Sequence, residues 1–265
     1  MKEAINSIHL AYDDHGAGLP VIFLHAFPLN RGMWAQELNS LLDDGNYRAI
    51  ALDWRGFGES ETTAGRVSMD QLAQDLAGLM DHLGIQEAVL CGLSMGGYVA
   101  FAFYRAFPER VRGLILADTQ PYADTEEAKQ RRETVAKLAE SDGTTAIANL
   151  QIPNLLSETG RNQKPEVVRA VEHMINTATP QGIAAAARGM ALRADSTDLL
   201  EHIACPVLVI AGEQDAITPP GMAQEYTSKI PGGQFIMIQQ AGHLSNLEQP
   251  DSFIYILRSF LATLR

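Results

Sequence analysis

Apolar residues fall along this chain in short runs separated by amphipathic stretches, the pattern of a parallel sheet covered by helices. Seven runs read as strands, at 8–13, 21–26, 47–53, 88–93, 113–118, 207–212 and 234–238. Within them VIFLHA, AVLCGL and LVIAG are apolar at nearly every position, as in strands buried on both faces. Helical spacing fills intervals near 33–42, 69–83, 95–106, 222–229 and 251–263. Pro108 and Pro206 mark element boundaries, because proline lacks the N–H that a helix interior or central strand must donate. The alternation predicts an α/β fold.

One segment breaks that alternation. From 120 to 203 the text is helical, as in EEAKQRRETVAKLAE and PEVVRAVEHMINTA, with no convincing strand. A right-handed crossover needs only about a dozen residues, so this segment reads as a cap over the sheet rather than part of its layers. The expected organisation is a core of 1–119 and 204–265 interrupted by a helical cap of 120–203.

Composition narrows the function. The 265 residues carry 20 Lys plus Arg against 32 Asp plus Glu, a net charge of −12. That balance argues against nucleic acid or an anionic membrane as partner, since both reward a basic patch. The two cysteines, Cys91 and Cys205, make no disulfide scaffold and fit no zinc spacing. The N-terminal text has no apolar signal-peptide core, and no run approaches the roughly 20 apolar residues that span a bilayer. The expected setting is a reduced cytoplasm. G-x-G-x-x-G after the first strands, G-x-x-x-x-G-K-[ST] and H-E-x-x-H are all missing, so no cofactor and no metal are expected.

Chemistry concentrates at Gly92-Leu93-Ser94-Met95-Gly96, between the run AVLCGL and the helical text YVAFAFYRAF. A serine on a tight strand-to-helix turn holds its hydroxyl clear of the backbone, and flanking glycines relieve the crowding. A serine hydroxyl is a weak nucleophile at neutral pH and needs a base, which in turn needs an orienting acid. Of the seven histidines, His243 stands in a glycine-bearing turn between the last strand run and the final helix. Loops at strand ends are where such sheets display reactive groups. His9 reads as an edge-strand residue, His82 as a helical one, and His173 and His202 as surface groups in or beside the cap. Asp215, just past PVLVIAG, is the leading acid, one strand-helix unit before His243. Asp118, at the end of GLILAD, competes but reads better as a cap for the following turn.

The chain order Ser94, Asp215, His243 resembles that of the α/β-hydrolase fold, along essentially the whole sequence. His25-Ala26-Phe27-Pro28 looks like the family's oxyanion loop, although most relatives carry glycine where Ala26 stands. Asp53-Trp54-Arg55-Gly56-Phe57-Gly58-Glu59-Ser60 looks like a turn of the cap-bearing branch, and its residues read as structural. Within that branch the text is similar to 3-oxoadipate enol-lactonases, small carboxylesterases and cofactor-free haloperoxidases that act as perhydrolases. The resemblance implies a mostly parallel sheet flanked by helices, with the cap between the sixth and seventh strands. It also implies an oxyanion hole. The Met95 N–H supplies one donor, and Phe27 is the leading second, since Pro28 has no N–H to give. A serine at 94, where an aspartate would imply dehalogenation or epoxide opening, points to acyl transfer.

The expected function is a serine hydrolase that cleaves a small carboxylic ester or lactone through an acyl-enzyme. Two alternatives stand beside it: a perhydrolase using the same triad, and a triad-retaining small-molecule receptor with little turnover. Met174, Met190 and Leu155 of the cap are expected to shape the pocket.

Overall fold

A computed structural model describes residues 1–43 and 45–265. Among these, eight strands form one sheet: β1 (Lys2–Ile5), β2 (Ile8–Gly16), β3 (Leu19–Leu24), β4 (Tyr47–Leu52), β5 (Ala88–Leu93), β6 (Val111–Ala117), β7 (Val207–Gly212) and β8 (Gln234–Ile238). Their order in space is β1-β2-β4-β3-β5-β6-β7-β8. β2 runs antiparallel to β1 and β4, and every pairing from β4 to β8 is parallel. β5 and β7 are buried at every position, as their unbroken apolar text requires.

The strand expected first in the chain is in fact second. β1 has three exposed residues of four and no apolar run to betray it. His9 therefore lies on an inner strand, with its exposed ring bonded to Glu61 at 3.2 Å. β2 outlasts its apolar text because Asp14 and His15 pair with Ile50 and Ala49 of β4, and Arg48 bonds the Asp14 carboxylate at 2.7 Å. β3 stops at Leu24, so His25 and Ala26 leave the ladder and open a loop.

Helices α1 (Ala35–Leu42), α2 (Met69–His82) and α3 (Met95–Ala106) fall where their apolar spacing placed them. The first turn of the 33–42 interval is instead a 3₁₀ helix, Arg31–Trp34, capped by the Asn30 side chain on the Gly32 N–H. Between β6 and β7 come α4 (Glu126–Leu155), α5 (Glu158–Gln163), α6 (Pro165–Thr177) and α7 (Pro180–Met190), then a 3₁₀ turn, Thr197–His202. Each start is written in the sequence. Thr125, Ser157 and Thr179 cap α4, α5 and α7, while Pro165 and Pro180 occupy first turns. Gly143, at φ 78° and ψ −171°, breaks α4 into two helical stretches. α8 (Pro220–Thr227), α9 (Ser245–Glu248) and α10 (Pro250–Ala262) complete the chain. No helix among the described residues is long and apolar enough to cross a membrane.

α7 sits directly on the turn at 53–60. The Asp53 carboxylate organises that turn, accepting from the backbone N–H groups of Arg31 and Glu59 at 2.7 and 2.9 Å. Trp54 and Phe57 are buried beneath it. A Cβ on Gly182 of α7 would stand 2.2 Å from the Gly56 carbonyl oxygen, and one on Gly56 2.5 Å from the Gly182 Cα. Two bare backbones are what let the helix approach, and Thr179 N–H and Val67 N–H bridge the seam at 3.3 and 3.1 Å.

This contact makes an inverted prediction for a helical glycine. Gly→Ala in an open helix interior gains up to about 1 kcal/mol. Gly182→Ala is expected instead to lose about 1–3 kcal/mol through overpacking against Gly56. Urea unfolding of the two proteins measures it, and a midpoint that rises would refute the contact.

Candidate active site

The β5–α3 bend places Ser94 at φ 55° and ψ −113°, a conformation that L-residues seldom hold. Such strain costs about 1–3 kcal/mol and persists only where the surroundings enforce it. Here the Ser94 N–H donates to the Ala117 carbonyl at 2.9 Å, while its own carbonyl accepts from Gly97 N–H at 2.9 Å and Thr119 Oγ at 2.8 Å. The motif's glycines are steric necessities. A Cβ on Gly92 would meet the Gly96 carbonyl oxygen at 2.4 Å, and one on Gly96 the Leu24 carbonyl oxygen at 2.0 Å. The result is a serine that keeps 8% exposure at the tip of a buried strand.

His243 reaches this serine from the loop after β8. Its Nε2 lies 2.8 Å from Ser94 Oγ and its Nδ1 2.8 Å from Asp215 Oδ2. A carboxylate only accepts, so Nδ1 carries the proton and Nε2 is left to accept the serine hydroxyl. Asp215 is itself fixed on every side. Its Oδ1 accepts from the N–H groups of Ile217 and Thr218 at 2.8 and 3.0 Å, and its Oδ2 from Thr218 Oγ at 2.6 Å. Burial raises the Asp215 carboxyl, but the charge and hydrogen bond of His243, with the Thr218 bonds, outweigh it and bring it below the ordinary carboxylate value. For His243 burial lowers the imidazole, and the Asp215 charge and hydrogen bond overcome that and hold it above its usual value.

Asp118 does not cap the turn after β6. It sits buried at φ 44°, with Oδ1 accepting the Gly212 N–H at 2.7 Å and Oδ2 2.5 Å from Ser245 Oγ. It therefore ties β6 to β7 and to the start of α9, and makes no hydrogen bond to His243. Burial, then the neighbouring Asp215 charge, push its carboxyl up to about 8. A carboxyl held up by burial thus stands beside one held down by its partner.

The loop after β3 is held by His25. This buried ring donates from Nδ1 to the Ala26 carbonyl at 2.9 Å and accepts the Trp54 N–H at Nε2 at 3.0 Å. Burial lowers its pKa to about 3, so it is a neutral structural imidazole. The Phe27 ring packs edge-on against Phe57, with centroids 6.1 Å apart. Neither the Phe27 N–H nor the Met95 N–H bonds another described residue. His173 and His202 are exposed, and His202 Nδ1 bonds the Asp198 carbonyl at 2.9 Å. Met174, Met190 and Leu155 are buried on the helices between β6 and β7. Thr218 and Thr119 were not singled out from the sequence, although Asp215 followed three positions later by Thr218 is a recognisable side-chain turn. No cluster of three or more His, Cys, Asp or Glu among the described residues could hold a metal ion.

A strained serine joined to a histidine and an aspartate in this order is a fold-level signature, and the family model for the α/β hydrolase fold matches residues 20–250. The chain belongs to the α/β hydrolase family. The hydrolase is 33% identical over 241 residues to 3-oxoadipate enol-lactonase 2 of Acinetobacter baylyi, covering 91% of this chain and 88% of that one. A solved structure of a thermophilic esterase from Thermogutta terrifontis, with malate bound, is 45% identical. It superposes with a TM-score of 0.96 over 100% of the hydrolase and 98% of the esterase. The enol-lactonase from Burkholderia xenovorans is 27% identical, with a TM-score of 0.92 over 99% and 100% of the two chains.

The two acids of the hydrolase separate by substitution. Asp215→Asn offers Nδ1 a donor or the wrong tautomer and is expected to cut kcat by up to roughly 10⁴-fold. Asp118→Asn keeps an acceptor for Gly212 and a neutral side chain, so its kcat is expected to stay within about tenfold of the parent, under 1.4 kcal/mol. Parallel assays on a chromogenic ester decide it, and the opposite ranking would move the acid to Asp118.

Proposed function

We propose that this hydrolase cleaves a small carboxylic ester or lactone through an acyl-enzyme on Ser94. Its class as a carboxylic ester hydrolase follows from kinship with an enol-lactonase at 33% and an esterase at 45% identity. The observation that most supports the finer reading is the continuous pair of 2.8 Å contacts from Ser94 through His243 to Asp215. In this reading 1–119 and 204–265 form the hydrolase core, and 120–203 the cap that encloses a compact substrate.

Chemistry proceeds in two halves. As Ser94 Oγ attacks the carbonyl carbon, its proton passes to His243 Nε2, and Asp215 stabilises the imidazolium that forms. The carbonyl oxygen becomes an oxyanion, held by the unpaired N–H groups of Phe27 and Met95. His243 then returns the proton to the departing alkoxide, and the C–O bond breaks. For a lactone that alkoxide stays tethered to the acyl group. Water repeats the sequence, with His243 as its base, and frees the acid and Ser94. A perhydrolase would run the same steps with peroxide in place of water.

Ser94→Ala is expected to remove turnover of p-nitrophenyl esters and lactones by on the order of 10⁶-fold while the fold stays intact. The parent should turn over its best short-chain substrate at about 1–10³ s⁻¹. Hydrolysis by the folded variant at the parent's rate would sink the assignment to Ser94. Acetate-dependent peroxide chemistry exceeding all hydrolysis would favour the perhydrolase, and binding without turnover a receptor.

The pH profile carries a second expectation. Protonated His243 cannot accept the serine proton, so kcat/KM rises with pH through the His243 ionisation. Because that group is raised above its usual value, the midpoint should lie above about 6.5. In Asp215→Asn the largest upward influence is gone and burial remains, so the midpoint should move down. A midpoint indifferent to Asp215 would contradict the pairing.

A further inference from the structure

Of the two neighbours of His243 in the chain, one is held by the cap segment directly and the other through Glu248 of α9. On one side, the Leu244 N–H donates to the carbonyl of Leu155, the last residue of α4, at 3.0 Å. On the other, the Gly242 N–H donates to Glu248 Oε1 at 2.7 Å. Glu248 also takes the Ser157 N–H at 3.2 and 3.1 Å on its two oxygens, and Ser157 Oγ stands 2.5 Å from its Oε2. Ser157 is the N-cap of α5, accepting the Gly160 N–H at 2.8 Å. One carboxylate therefore bridges the α4–α5 corner of the cap and the residue that precedes the histidine.

This bridge has no salt-bridge role. Glu248 is fully buried, and its carboxylate pairs with no Lys, Arg or His among the described residues. Lys164 reaches only its backbone carbonyl. Everything its side chain receives is a donor from the cap or from the His243 loop. The fit is tight on both sides: a Cβ on Gly160 would stand 2.1 Å from Glu248 Oε2, and one on Gly242 2.5 Å from the Ser157 nitrogen. A buried carboxyl satisfied by strangers to its own helix is expensive to leave unmade, which argues against mere filling.

We propose that Glu248 is a positioning residue that sets His243 through Gly242 and makes the cap's 155–157 corner part of the same alignment. The inference rests on His243 being the base for Ser94. An imidazole poised between two 2.8 Å contacts tolerates little displacement, since a shift of about 1 Å can cost on the order of 10²-fold in rate. Glu248 does not touch the reacting atoms, so its loss should fall on kcat and leave substrate affinity alone.

The experiment compares the parent, Ser94→Ala, Glu248→Gln, Ser157→Ala and Gly160→Ala with p-nitrophenyl butyrate and a fluorophosphonate that labels the nucleophile. Glutamine puts an N–H₂ against groups that only donate. Glu248→Gln is expected to lower both kcat and the labelling rate by about 10–100-fold, with KM within about threefold. Ser157→Ala, which cuts one arm of the bridge, should lose less. Gly160→Ala, which pushes Glu248 aside without removing a donor or acceptor, should resemble Glu248→Gln. Circular dichroism and unfolding midpoints establish that each variant is folded. If Glu248→Gln does not fold, Ser157→Ala and Gly160→Ala decide by the same kcat-against-KM split. Folded variants with the parent's kcat, or a loss confined to KM, overturn the positioning role. Undiminished activity or labelling in Ser94→Ala overturns instead the reading on which it rests.

Discussion

In the mechanism proposed for this hydrolase one imidazole must be neutral, protonated at Nδ1 and open at Nε2, and the hydrogen bonds around Ser94 meet that requirement. His243 is buried, where charge is costly, yet its partner Asp215 favours the charged form. On the proposed mechanism, that competition suits a base that accepts a proton and holds it while an oxyanion exists. Asp215 can supply that support because Thr218 and the Ile217 and Thr218 amides consume its other lone pairs. With those filled, its remaining direction points at Nδ1, and the tautomer follows from geometry rather than from solvent.

The sheet is what brings three distant residues to one place. Parallel pairing from β4 to β8 makes every strand from β3 onward end at the same edge. Ser94 follows β5, Asp215 follows β7 and His243 follows β8, so a spread of 149 residues in sequence closes to hydrogen-bond distance. The inner strands can do this because their texts are largely apolar, β5 and β7 at every position. Burial of each Val, Leu or Ile side chain contributes about 1.5–3 kcal/mol, enough to carry the strain concentrated at Ser94. The sharp bend at that serine then depends on local chemistry, on Gly92 and Gly96 leaving room that no side chain could share.

The sequence made the central machinery legible because its signals are local. β5, β7, β8 and α3 begin and end where their apolar text does, and Ser94, Asp215 and His243 sit beside those ends. β1 was silent because an exposed outer strand needs no apolar pattern. The roles of Asp118 and Glu248 were silent for another reason. Each depends on partners far along the chain, Gly212 and Ser245 for one, Ser157 for the other, and a carboxylate's text is the same whether it faces water or a buried amide. Asp118 shows the consequence. Its place at a strand end read as a turn cap, whereas the folded chain uses it to tie β6, β7 and α9 together.

That second carboxyl bears on the base itself. Two ionised carboxylates beside His243 would both stabilise the imidazolium, and each further pKa unit, about 1.4 kcal/mol, would leave about tenfold less neutral base at a given pH below it. Burial of Asp118, then the charge of Asp215, oppose this by pushing the Asp118 carboxyl up to about 8. Asp118 contributes its hydrogen bonds to Gly212 and Ser245, and so the geometry of the strand ends, and acts on the imidazole less strongly than Asp215 does. Electrostatic support for His243 comes first from Asp215, and mechanical support from Asp118. Dividing the two between different carboxyls lets the loop be rigid while the base stays basic in a useful range.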